Sequence, residues 1–299
     1  MLGVLTGFAI IFAVIGVGWI LSKKKVIRSD TERLMFNRVA FYAATPALLF
    51  TSVSTSDPQT FLSPVTLIVA GATALVSSIF CALFFRRGRA VMASGAGAAS
   101  YFNSVNIGLP VSMYVVGDAT YVVPIVMLQM VVFAPIIIAA LSGQPPLKSV
   151  GTGLLSPVVV APLLGLVVAI NGWEIPVFIS EPIRILGGAS IPMILMSFGA
   201  SLTSSGVLSD PKARPVVIAA SALKLIGMPA IGFGLATFFG LGSDLVWACT
   251  VLCALPTAQN VYNYAATFQN GQTIARDTVF ITTFASLPVM LAIALLFGR

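Results

Sequence analysis

The chain has 299 residues; 58% are apolar, only 8% are charged, and the mean hydropathy is +1.03. A soluble domain carries roughly 25% charged residues, so a soluble enzyme, a nucleic-acid module and a disordered chain are excluded. The net charge is +7 with no His, which removes Ser-His-Asp triads, HExxH zinc sites and His proton relays, and Cys81, Cys249 and Cys253 lie in apolar runs without disulfide or zinc spacing.

A hydrocarbon core about 30 Å thick takes roughly 20 apolar residues of helix. Ten stretches qualify, at 2–22, 36–54, 62–85, 96–116, 119–141, 150–170, 177–203, 215–239, 244–268 and 278–297. The first has no basic residues before it and a Lys cluster after it, which reads as an N-out anchor rather than a cleaved signal peptide. Short links join the stretches, and no soluble domain or long linker is expected.

The odd-numbered links carry twelve of the sixteen basic residues: Lys23 to Arg33, Arg86 to Arg89, Lys148, Lys212 with Arg214, and Arg276. The positive-inside rule places those links in the cytoplasm and both chain ends outside. The basic clusters are therefore topology anchors, not a nucleic-acid site. The expected location is the cytoplasmic membrane, with the lipid bilayer as partner.

The two halves echo each other. Thr6-Gly7 recurs as Thr152-Gly153, Thr45-Pro46 as Ile191-Pro192, and Gly108-Leu109-Pro110 as Ala254-Leu255-Pro256, each at an offset of 146. Ser56-Asp57-Pro58 recurs as Ser209-Asp210-Pro211 at 153, which implies a longer second copy of that link. The boundary falls between residues 1–143 and 144–299. Five stretches per half force opposite insertion, and inverted repeats of this kind place a binding site near the midplane between them.

Pro110 and Pro256 lie well inside their stretches, where proline removes a helix hydrogen bond and frees carbonyls. The neighbouring residues are polar: Asn103, Asn106 and Gly108 in the fourth stretch, and Gln259, Asn260 and Asn263 in the ninth. Two broken helices facing one point present uncapped N–H groups and a positive dipole end, an anion site to which Asn and Gln amides add donors. Thr45 with Pro46 and Ser190 with Pro192 read as hinge or packing positions. Pro135 and Pro288 read as kinks.

Lys224 lies about 15 Å into its stretch at 1.5 Å per residue. It attracts an anion, replaces a bound cation or snorkels to the interface. The carboxylates, Asp277 among them, fall in links or at stretch ends. Glu181 and Arg184 form a helix-surface pair. No metal site or cofactor is expected, and the coupling ion, H+ or Na+, is open.

The motifs Asn103-x-x-Asn106-x-Gly108-Leu109-Pro110 and Leu255-Pro256-Thr257-Ala258-x-Asn260, with this organisation, resemble the auxin efflux carrier family. The short link from Ser142 to Ser149 is similar to its bacterial malate or malonate permeases. The resemblance implies an all-α membrane fold like that of the bile-acid sodium symporters. Stretches one, two, six and seven form a scaffold; three to five and eight to ten form a mobile domain. The fourth and ninth cross at their prolines. It also implies a small organic carboxylate held by an Asn, matched here by Asn103 or Asn106, and homodimers among relatives. The expected activity is carriage of that anion by alternating access, not an enzymatic reaction. The alternatives are a sodium symporter and a channel or sensor with this fold.

Overall fold

The computed structural model describes residues 2–55, 63–108, 111–116, 121–142, 155, 157–203 and 206–298. Among them the secondary structure is helical, without a strand. Helix α1 is Leu2–Lys23. Helix α2 covers residues 30–54, α3 is Pro64–Arg87 and α4 is Arg89–Ser100. Two π-helical turns follow, Ser104–Gly108 and Ser112–Val116. Helix α5 covers residues 122–141, α6 is Pro157–Asn171, and α7 is Val177–Ser201, interrupted at Ala189. Helix α8 is Arg214–Phe238, α9 Ser243–Cys253, α10 Gln259–Thr267 and α11 Gln272–Leu296.

Helices α3, α7, α8 and α11 have 24 or 25 residues and mean hydropathies between 1.5 and 2.3, enough to cross a hydrocarbon core. Leu67, Leu83, Phe178, Phe238 and Leu296 are exposed on the outer surface, a belt that fits lipid and not water.

Several helices begin earlier than their apolar stretches. Ser29 caps α2, accepting from the Glu32 amide at 3.2 Å, while a Glu32 carboxylate oxygen accepts from the Arg28 amide at 2.7 Å. The expected link is thus helical from Asp30, and Arg33, read as a link anchor, is buried inside α2. Likewise α11 starts at Gln272, not 278, so Arg276 and Asp277 are buried helix residues rather than link residues. Asp277 pairs with Arg276 at 2.7 Å and accepts from the Leu208 amide at 2.9 Å, tying α11 to the segment after α7. Apolar content marks where lipid begins, whereas in α2 the Ser29 cap decides where the helix begins.

Three prolines share one local device. A π-helical turn ends two residues before each: Ala40–Ala44 before Pro46, Gln129–Phe133 before Pro135, and Leu223–Gly227 before Pro229. The wider turn relieves the clash of the proline ring with the preceding turn, so the helix continues. Pro288 lies inside α11.

Helices α1, α2, α6 and α7 approach closely. A Cβ on Gly18 would strike the Met196 backbone of α7, and one on Gly199 the Ile15 backbone of α1. A Cβ on Gly165 of α6 would lie 2.8 Å from the Phe50 carbonyl oxygen of α2. Small residues let backbones touch where lipid supplies no hydrophobic drive for helix association. Elsewhere α4 packs Gly95 under Phe80 of α3, and α8 packs Gly232 against Cys253 at the end of α9.

Candidate functional site

Two interruptions of helix meet in the interior. After α4 the chain is extended at Tyr101–Asn103; after α9 it leaves helix at Ala254 and resumes at Gln259. The two segments pair as a short antiparallel bridge between Phe102 and Thr257. The Asn103 amide donates to the Pro256 carbonyl at 2.8 Å, and the Ala258 amide donates to the Tyr101 carbonyl at 3.0 Å. Each break thereby satisfies the other's backbone, as a buried interruption must.

In the fourth stretch the helix gives way at Tyr101–Asn103, a turn or more before Pro110; the break expected at Pro110 lies, with Leu109, outside the described residues.

Side chains lock the crossing. Asn103 donates from Nδ2 to Gln259 Oε1 at 2.7 Å. Ser104 donates to Gln129 Oε1 at 2.5 Å, and Gln129 Nε2 donates to the Phe102 carbonyl at 3.0 Å. Thr257 donates from Oγ1 to the Ala98 carbonyl at 2.6 Å, and its amide donates to Thr282 Oγ1 at 3.1 Å. Gly108 fits against Leu255, which a Cβ would approach to 3.0 Å.

Asn103, Gln129, Gln259, Asn260, Thr45 and Ser190 are among the residues lining a cavity of about 40 Å³ at the crossing. One water needs about 10–15 Å³, so the cavity holds a few waters and closes around no dicarboxylate without movement. Across it, Thr45 of α2 and Ser190 of α7 share a hydrogen bond of 2.7 Å. The N-terminus of α10 has no side-chain cap, so its positive end is left to the cavity and to Gln259 and Asn260.

Lys224 stands behind this wall. It is fully buried in α8, and its Nζ donates to the Cys253 carbonyl at 3.1 Å and contacts Met228 Sδ at 2.9 Å. The ammonium lies 5.0 Å from the Phe102 ring centroid, a cation–π arrangement. It therefore caps the negative end of α9 and sends its field through Phe102 into the cavity. Snorkelling does not describe it.

Other expected site residues lie elsewhere. Asn263 is buried on α10 and does not line the cavity. Pro46 and Pro192 shape α2 and α7 without reaching it. The Asn106 backbone is in a π-helical turn and its side chain is outside what the structure describes, while Pro256 contributes its carbonyl to the bridge. Thr152 and Gly153 are outside the described residues. Gln129 was missed; a lone Gln inside the apolar run 119–141 was the available signal. Among the described residues no group of three His, Cys, Asp or Glu is placed to hold a metal.

A family model described as "Membrane transport protein" matches residues 4–144 and 147–294. A protein of Rhizobium meliloti (strain 1021) named "Putative malonate transporter" is 27% identical over 269 residues, covering 84% of this chain and 82% of that protein.

Proposed function

The chain belongs to the membrane transport protein family, that of the auxin efflux carriers, and from this premise we propose that it is a secondary active transporter moving a small organic carboxylate across the cytoplasmic membrane by alternating access. The observation that carries the reading is the crossing of two interrupted helices, with Asn103 and Gln259 joined over a cavity that the α10 N-terminus and buried Lys224 make electropositive. An anion docks there against amide donors, and none of the described lining residues is a carboxylate. The similarity to a protein named for malonate supports a malonate-sized acid.

The fold is read as ten transmembrane helices in two inverted five-helix repeats, residues 1–143 and 144–299, with the chain ends outside. The reciprocal close approaches support it: Gly18 meets Met196 as Gly165 meets Phe50. Helices α1, α2, α6 and α7 form the scaffold, and the remainder moves against it. The Thr45–Ser190 bond lies within the scaffold at the cavity wall. The tight cavity widens as the mobile helices rock against the scaffold. The Lys224 ammonium takes the electrostatic place of a bound cation, which sets this reading apart from a sodium symporter.

Counterflow in proteoliposomes tests the proposal. Preloaded unlabelled malonate should drive uphill uptake of labelled malonate, saturating with concentration. Ohmic currents without counterflow would instead indicate a channel.

A further inference from the structure

Arg33 has no role in the crossing. It is 6% exposed, donates from Nε to Asp30 Oδ1 at 3.0 Å and from Nη1 to the Tyr262 hydroxyl of α10. The side chain of Asp30 is 67% exposed, so the inner end of the guanidinium faces the protein without a buried counter-charge from that pair. A guanidinium carries five N–H donors, and these two bonds commit Nε and one N–H of Nη1.

Asn37 follows one turn later on the same face of α2, and Phe41 one turn after that. Phe41 packs edge-on against Tyr264 of α10. Tyr262 and Tyr264 flank Asn263, so α2 and α10 bring Asn37 and Asn263 to the same part of their interface. Both are fully buried, and none of their four amide atoms has a hydrogen-bond partner. Gln259 Nε2, one turn before Asn263 and at the wall of the crossing cavity, is also unpartnered. Buried amides are ordinarily paired. The unpaired amides of Asn37, one turn from Arg33 on α2, and of Asn263, next to the Tyr262 that Arg33 bonds, describe a place made for a polar guest.

The geometry points to a second carboxylate station formed by Arg33, Asn37 and Asn263, on the side of the basic links, reached from the crossing cavity past Gln259. This deepens the transport reading and rests on it. An arriving carboxylate takes the guanidinium fork in place of the Tyr262 hydroxyl. Losing that contact frees α10 from α2, so passage of the anion and opening on this side are one event.

The test is labelled-malonate flux measured from each face of oriented proteoliposomes holding the full chain. Arg33→Gln should raise KM from the basic-link face about tenfold, as loss of a charge-assisted bond implies, and change KM from the other face less than about twofold. Arg33→Lys should recover part of the loss, whereas Asn103→Ala should raise KM from both faces. Tyr262→Phe keeps the ring, loses the contact and should speed flux from the basic-link face; it carries the test if Arg33→Gln does not fold. Equal shifts on both faces, or none, overturn the second station while leaving the transport reading intact. A wild-type protein that moves no carboxylate overturns both.

Discussion

The ammonium of Lys224 lies 5.0 Å from the centre of the Phe102 ring, and Phe102 forms the wall of the crossing cavity. The Lys224 amine thus sits one aromatic ring away from the proposed anion. Lys224→Gln should abolish most carboxylate flux at unchanged protein yield. Wild-type flux should persist when sodium is replaced by choline or N-methylglucamine. Flux that collapses without sodium contradicts the role given to Lys224.

The Gly199 approach to Ile15 leaves no room for a side chain. Gly199→Val forces α1 and α7 apart, and overpacking of this kind costs about 1–3 kcal/mol. The melting temperature in detergent should fall by roughly 5 °C or more. Gly16→Ala, where a Cβ meets nothing within 4 Å, should leave it unchanged or slightly raised.

Thr45 and Ser190 have their hydroxyl oxygens 2.7 Å apart. In a background lacking Cys81, Cys249 and Cys253, Thr45→Cys with Ser190→Cys should cross-link under mild oxidation. Because both residues belong to the proposed scaffold, the cross-linked protein should still transport. A Phe198→Cys, Tyr262→Cys pair, whose native ring centroids are 5.6 Å apart across α7 and α10, should lock the carrier when bridged by a bifunctional methanethiosulfonate and release it on reduction.

The Arg276–Asp277 pair is buried, with side chains 8% and 1% exposed. Asp277→Asn leaves the guanidinium without its carboxylate, a change that costs about 3–5 kcal/mol in buried pairs. The expected result is a lower melting temperature, and faster proteolysis of the segment around Leu208, whose amide donates to Asp277.

Much of this was legible in composition and in the placement of polar residues. Asn103, Gln259, Asn260 and Lys224 stand out because polar groups are costly in apolar stretches, and the structure gathers them around one crossing. The break at Tyr101–Asn103 was not legible, because it forms without a proline: Pro256 and Ala258 satisfy its backbone from across the chain. Such long-range pairing leaves no local signal. Arg33 was hidden by the positive-inside pattern, which counts charges without distinguishing a solvated Lys24 from a guanidinium buried by a capped helix.

The central claim is that an anion binds where Asn103 meets Gln259. Equilibrium binding of labelled malonate to the purified protein tests it most directly, comparing wild type with Asn103→Ala. Removing the amide strands Gln259 and removes a donor, a loss of about 1–3 kcal/mol. Saturable wild-type binding that weakens about tenfold in the variant is the expected result. Equal affinity in both proteins would contradict the assignment.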